Sequence, residues 1–378
     1  MDQWGDPLVV MLPTYQTGTF RSVATQSWCA TIRRTRTRQT RPGWQKENDR
    51  TTMRILVTGG AGFVGSHLVD RLLDRGDEVV AADNFLTGSA GNLAHVDGHP
   101  RLRLVLVDVS EPLVGPVFSN PFDRVYHLAS PASPVGYRRY PIETLLTNSK
   151  GTLHSLEIAR RDGARYFLAS TSEVYGEPLV HPQREDYWGN VNPVGLRACY
   201  DEGKRFAESL TMEFHRQHGV DTRIARIFNT YGPRSQPDDG RVVPNFCLQA
   251  LRGEPITIYG DGSQTRSFCY ISDLVDGILA MSDLDGLAGE IINLGNPVEI
   301  SIREFAETVI ALAGSSSALR FEPLPVDDPT RRRPDIAKAQ RVLGWDPRVD
   351  LRDGLLRTLA SFAEALPEAR PGRPLRAR

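Results

Sequence analysis

From residue 53 onward, short apolar runs alternate with longer stretches in which apolar side chains recur every three or four positions. The runs at 54–58, 78–83, 102–108, 124–129, 166–170 and 222–228 read as strands, and the stretches at 66–74, 142–161 and 199–218 as amphipathic helices. Such alternation builds parallel strand–helix–strand units, so the pattern predicts an α/β fold with a doubly wound parallel sheet. Across 231–241 the texture changes to proline, glycine and charge, and a smaller C-terminal α/β lobe is expected to begin there. Later pieces at 256–259, 291–294, 302–313 and 351–365 continue the alternation, so the chain is expected to pass between the lobes. The predicted division is 53–230 for the first domain, with segments around 268–300 returning to it, and 231–366 for the second.

The turn after the first run adds chemistry to this outline. Gly60, Gly62 and Gly65, in Gly59-Gly60-Ala61-Gly62-Phe63-Val64-Gly65, fit the fingerprint of a Rossmann dinucleotide-binding turn. Glycine permits a tight turn and a close approach of backbone to pyrophosphate, and the following helix offers free N–H groups to the anion. The second run ends in Asp83, 18 residues after Gly65. A carboxylate there accepts hydrogen bonds from ribose hydroxyls and repels a 2′-phosphate, which favours NAD over NADP.

Ligands of such folds bind beyond the carboxyl ends of the strands. Asp108, Ser130, Thr171, Ser172, Glu173 and Asn229 all fall at or just past predicted strand ends. Tyr200 and Lys204 share one face of the helix predicted over 199–218, where the ammonium is placed to stabilise a phenolate. A free tyrosine, titrating near ~10, is a poor base at neutral pH, so that pairing would make Tyr200 a usable proton acceptor.

Composition narrows the class further. Lysine and arginine number 45 against 46 acidic residues, a balance that argues against a nucleic-acid surface spread over the protein. No apolar run is long enough to span a membrane, and the patch at 8–12 lacks the basic flank of a secretion signal. Cys29, Cys199, Cys247 and Cys269 are scattered without metal-ligand spacing; no metal is expected, and the cytoplasm suits such thiols. Residues 1–52 carry an arginine cluster (Arg33, Arg34, Arg36, Arg38 and Arg41) and read as a disordered basic extension. An organellar transit segment shares that character, but a true start at Met53, directly before the first strand, is the preferred reading. The end, 367–378, reads as a disordered tail.

Longer strings then point to a family. His127-Leu-Ala-Ser-Pro-Ala-Ser-Pro134, Ala169-Ser-Thr-Ser-Glu-Val-Tyr-Gly176, His181-Pro-Gln183, Tyr187-Trp-Gly-Asn-Val-Asn-Pro193, Cys199-Tyr-Asp-Glu-Gly-Lys-Arg205, Asp239-Gly-Arg-Val-Val243 and Gly262-Ser-Gln-Thr-Arg266 resemble the extended short-chain dehydrogenase/reductase family. The segments at 127–134 and 187–205 look most like its branch that decarboxylates UDP-glucuronate to UDP-xylose. The resemblance runs from about residue 53 to about 365 and implies that the lobe over 231–366 holds the sugar nucleotide.

It further implies a catalytic set of Tyr200, Lys204, Thr171, Ser172, Glu173 and Arg332. NAD would be held by Gly59, Gly62, Phe63, Val64, Gly65, Asp83, Asn84, Phe85, Thr87, Gly88, Asp108, Val109, Leu128, Ser130 and Thr147, with Tyr200 and Lys204. UDP-glucuronate would be held by Tyr137, Asn229, Arg241, Val243, Asn245, Tyr259, Arg266 and Arg332. Related dehydratases carry an Asp-Glu pair where this chain has Ser172-Glu173, which favours decarboxylation over loss of a C6 hydroxyl. Leu146 departs from relatives that place a lysine against the cofactor. A homodimer is implied, paired through the helices at 142–161 and 199–218. The competing readings are an NAD-dependent nucleotide-sugar 4-epimerase or 4,6-dehydratase and, from another class, a non-catalytic NAD-sensing protein, which would not need Tyr200, Lys204 and Glu173.

Overall fold

The computed structural model describes residues 52–237, 239–323 and 331–366. The extension expected over 1–52, apart from its last residue, and the tail expected over 367–378 lie outside the described residues. Seven strands form one parallel sheet: β1 (Arg54–Thr58), β2 (Glu78–Asp83), β3 (Leu102–Leu106), β4 (Arg124–His127), β5 (Arg165–Thr171), β6 (Thr222–Ile227) and β7 (Glu290–Leu294). Their order is β7-β6-β5-β4-β1-β2-β3, so the winding reverses between β1 and β4 and leaves a crevice at the carboxyl ends there.

Alternation along each strand divides the core into two faces. Ile55, Val57, Val79, Ala81 and Phe167 pack with α1 (Phe63–Asp74), and Leu56, Val80, Val125, Tyr166 and Leu168 pack with residues of α3 (Thr152–Asp162) and α4 (Ala198–His218). The first face continues without a break into α5 (Val242–Arg252), α6 (Ile271–Asp283), α7 (Ile302–Ala313) and α8 (Leu351–Ala365) through Phe246, Leu274, Phe305 and Leu359. Helices α5 and α6 are not among the helices expected from the apolar periodicity. After α6 the chain re-enters the large sheet as β7, while small sheets pair Ile256–Tyr259 with Leu319–Glu322 and set Thr265–Ser267 between Glu299–Ser301 and Arg331–Arg332.

One predicted helix is broken. The stretch expected to run from 142 to 161 is α2 (Pro141–Leu146), a wide π turn over Thr147–Gly151, and then α3. Side chains explain the wide turn: Ser149 and Thr152 hydroxyls donate to the carbonyls of Leu145 and Asn148 at 2.7 Å, and the Asn148 amide donates to the Thr144 carbonyl at 2.9 Å. Competition of this kind loosens the regular ladder, and the bulge carries Thr147 to the crevice.

Candidate active site

The crevice is built first from backbone. Spacing assigns the first fingerprint glycine to Gly60, but the structure puts the tight turn one residue earlier. Gly59 has φ +70°, and a Cβ there would lie 2.7 Å from the Ala129 nitrogen. Gly60 instead packs on the sheet, where a Cβ would sit 2.7 Å from that of Ala81. A side chain at Gly65 would drive into the Gly59 carbonyl at 2.0 Å, so α1 can lie against the turn only with glycine there. Helix α1 has no side-chain cap at Gly62 and no acidic residue in its first turn, so its free N–H groups and positive dipole end remain for an anion.

Asp83 ends β2 beside this turn. Its carboxylate accepts the Ala61 N–H at 3.0 Å and the Phe85 N–H at 2.8 Å, while burial pushes its pKa up against these bonds. Each oxygen keeps a further lone pair. Gly59, Gly62, Phe63, Val64, Gly65, Asp83, Asn84, Thr87, Gly88, Val109, Leu128, Ser130 and Thr147 all line the crevice. Phe85 stands just outside with its N–H on Asp83, and Asp108 is reached through the Asn84 amide at 3.1 Å. A glycine cradle, an uncapped helix start and an oriented carboxylate fit a dinucleotide.

At the same end of the sheet α4 brings Tyr200 and Lys204 to β5. Tyr200 is buried beside the Thr171 side chain, which favours its charged form, and Lys204 donates to the Ala169 carbonyl at 2.9 Å with its ammonium 5.9 Å from the Tyr200 ring centre. Two turns along the same face, Glu208 accepts the Ser170 hydroxyl at 2.6 Å and takes both forks of Arg226 at 2.8 and 2.9 Å. The electrostatics differ from the helix-spacing expectation. Burial pushes the Tyr200 phenol above its ordinary value, against the opposing influence of the Thr171 side chain, and the charge of Glu173 adds to the rise. Burial also pushes the Lys204 ammonium down to about 7, against the pull of Glu208. His127, fully buried with Nδ1 2.8 Å from the Thr58 hydroxyl, is pushed down to about 3 by burial and by Lys204. In the chain alone Lys204 does not suffice to lower the phenol.

Glu173 lies at the centre of a charged cluster. Arg332, 2% exposed, meets it at 3.2 Å and also donates to the carbonyls of Ser172 and, at 3.2 Å, Gly176. Arg197 closes on its other oxygen. Burial opposes ionisation of Glu173, but the two guanidiniums outweigh it and hold the carboxyl below its ordinary value. Tyr137 is buried flat against Tyr200, ring centres 5.3 Å apart and planes 7° apart. Thr171, Ser172, Glu173, Tyr137, Tyr200, Lys204 and Arg332 thus come together.

The remaining candidates are more spread. Arg241 lines the crevice and is paired with Asp239 at 2.6 Å, and Arg266 sits in register beside Arg332 in the small sheet. Asn229 is half-buried and Val243 buried in the first turn of α5. Asn245 and Tyr259 wall a second recess with Gln249, Thr257, Arg320 and Glu322, apart from the Tyr200 cluster. Sequence reading misses Arg197 and Asp201. Their signal was position: Arg197 precedes Tyr200 by three residues and Asp201 follows it, so Arg197 stands at the cap of α4 and Asp201 in its first turn.

A model of the NAD dependent epimerase/dehydratase family matches residues 55–295. UDP-glucuronic acid decarboxylase 1 of Arabidopsis thaliana is 55% identical over 313 residues, 83% of this chain and 70% of that one. Its Danio rerio namesake is 55% identical over 320 residues, 85% of this chain and 74% of that one. Among solved structures, UDP-glucuronic acid 4-epimerase from Bacillus cereus, in complex with UDP-glucuronic acid and NAD, superposes with TM-score 0.76 at 30% identity, covering 83% of this chain and all of that one (100%).

Proposed function

The chain belongs to the NAD dependent epimerase/dehydratase family, and we propose that it converts UDP-glucuronate to UDP-xylose and carbon dioxide, redox-neutral overall. The observation that carries this choice is Glu173, kept ionised between Arg197 and Arg332 next to Tyr200, with a serine at 172 where a dehydratase needs an acid. When bound, NAD supplies a fixed positive charge and a hydride acceptor that takes the C4 hydrogen and later returns it. Tyr200 takes the proton of the C4 hydroxyl, and Lys204 holds charge behind it. Once C4 is a ketone the C6 carboxylate is β to it. The C5–C6 electron pair can then move onto O4, where the reprotonated Tyr200 and the Thr171 hydroxyl stabilise the enolate by hydrogen bonding. Glu173, fixed by its two arginines, orients the ring or a water for protonation at C5. The glycine turn, Asp83 and the rest of the crevice hold the dinucleotide, and the sites expected at Arg241, Asn245, Tyr259 and Arg266 hold the nucleotide of the substrate.

The same reading includes a homodimer and a reducing cytoplasmic setting. Helices α2 and α4 leave Ile142, Leu145 and Phe206 exposed, an apolar face suited to a second copy, and Cys199, Cys247 and Cys269 are free thiols. No helix among the described residues is long and apolar enough to cross a membrane. Incubation with UDP-glucuronate and NAD, with the sugar nucleotides resolved by mass, is expected to give UDP-xylose, carbon dioxide and no net NADH. UDP-galacturonate without gas would overturn the proposal in favour of an epimerase.

A further inference from the structure

One loop, between Tyr231 and α5, sends Arg234, Gln236, Asp239 and Arg241 into the lining of the dinucleotide crevice. It is pinned to the walls it faces. His67 Nε2 on α1 donates to the Pro233 carbonyl at 3.0 Å, the Arg234 Nη2 donates to Asp70 on the same helix at 2.7 Å, and the Gln236 amide donates to the Thr87 carbonyl at 2.6 Å. Further on, Gly240 lies so close to the short helix Pro134–Arg139 that a Cβ there would stand 2.6 Å from a Val135 methyl. Phe63 at the start of α1, Thr87, and Ser133 at the cap of the short helix all line the crevice. Held to all three walls, the loop straps it.

Within the strap Arg234 stands apart. Its φ is +66°, a left-handed conformation that a residue with a side chain keeps only where its surroundings hold it. Nη2 takes Asp70 and lies 3.4 Å from the His95 Nε2, while Nη1 is buried without a hydrogen-bond partner among the described residues. A buried donor left unpaired is costly, and an arriving acceptor relieves that cost. The side chain keeps 24% exposure and so has room to turn toward a ligand. Turning does not strand Asp70, whose other oxygen is 2.7 Å from His95. Phe63, His67 and Asp70 follow one face of α1, which leads from the guanidinium back to the uncapped first turn of that helix. The diphosphate of a dinucleotide is doubly negative, whereas a helix end supplies only about half a charge. Among the described residues lining the crevice, Arg234 and Arg241 carry the full positive charges, and Arg241 is already held by Asp239 through two nitrogens, at 2.7 and 2.6 Å.

We propose that Arg234 is a binding residue for the diphosphate of the dinucleotide, a charged partner to the backbone donors of the glycine turn and α1, carried to the crevice by the strap. The inference rests on the reading of the crevice as a dinucleotide site. The forked donors of arginine suit phosphate oxygens, and the bond to Asp70 occupies only one edge of the fork.

The test measures the affinity of the full chain, freed of nucleotide, for NAD, ADP-ribose and adenosine by displacement of fluorescent NADH, in wild type, Arg234→Met and Arg234→Lys. Arg234→Met is expected to weaken NAD and ADP-ribose about tenfold or more, while adenosine, which has no phosphate, stays within about twofold. Added salt should weaken NAD less in Arg234→Met than in the wild type, because a charged contact has gone. Arg234→Lys, which keeps the charge but loses the fork, is expected to fall between, and it carries the test if the methionine variant fails to fold. Equal weakening of adenosine would mean that Arg234 only shapes the crevice through Asp70, and an unchanged affinity for NAD would exclude contact; either overturns the inference. A wild type that binds no dinucleotide would instead strike the reading of the crevice itself, and the inference with it.

Discussion

The two ends of the central sheet are both rich in charge, and they use it in opposite ways. At the amino end Arg223, wholly buried, pairs with Asp221 at 3.1 Å and donates to carbonyls at Met281 and Leu284. Arg165 meets Asp221 and Asp285, each at 2.8 Å, and Arg124 meets Asp283 at 2.5 Å. These pairs tie β4, β5 and β6 to the end of α6 and its connection to β7. At the carboxyl end the Tyr137 hydroxyl, the His127 Nε2, the Asn148 Oδ1 and the Asp201 Oδ1 are buried without partners, and Lys204 rests on a backbone carbonyl. An unsatisfied buried polar group costs about 1–3 kcal/mol. At the amino end the Thr222 and Ser282 hydroxyls are also buried without partners, but the charged groups there are paired for stability, whereas the carboxyl end holds ionisable polarity in reserve for a ligand at the expense of stability.

Substitutions that separate rate from stability sharpen this contrast. The largest effect is expected from Tyr200→Phe, which should lower carbon dioxide release by about 10³- to 10⁴-fold while the thermal midpoint stays level or rises slightly, since a buried hydroxyl is removed. A midpoint that falls together with the rate would erase the difference between the ends. Next, Arg223→Met should cost about 2 kcal/mol in denaturant unfolding, because the Met281 and Leu284 carbonyls lose their buried donor while Asp221 keeps Arg165, with little change in KM. A shifted KM at constant stability would show that the amino end shapes the site.

The smallest effect concerns Asp201, whose folded carboxyl is raised to about 7. A raised pKa contributes stability that is present below the ordinary value near ~3.8 and is lost as pH rises through about 7. Asp201→Asn lacks that loss, so the variant should gain on the wild type by about 1–2 kcal/mol between pH 4 and pH 8. Denaturation midpoints measured across that window decide it, and a constant difference between the two proteins would place the titration elsewhere.

How much of this was legible in the chain depended on the range of the interaction. The strands, α7 and α8 follow from local periodicity, and so does the shared face of Tyr200 and Lys204, because spacing of four residues is a property of one helix. The break at Thr147 was harder, since hydroxyl and amide side chains displaced the ladder without disturbing the apolar pattern. The turn at Gly59 rather than Gly60 was decided by Ala129 and Ala81, which arrive from other strands. The pairing of Glu173 with Arg197 and Arg332 spans 24 and 159 residues of chain, and no periodic signal reports a contact between groups so far apart. Nor could helix spacing reveal that burial would outweigh Lys204 at the Tyr200 phenol, which is a property of the packed whole.

Helix α4 carries Tyr200, Lys204 and Glu208 along one side, with Glu208 clamped by Arg226 and Ser170 two turns from the phenol. A side-chain tip about 6 Å from a helix axis swings roughly an ångström when the helix turns by about ten degrees. Misplacement on that scale can cost a reaction about a hundredfold. The Glu208 clamp therefore acts as an indexing pin that sets the angle at which the acting hydroxyl is presented, so the aim of the tyrosine is governed from a place no reactant reaches.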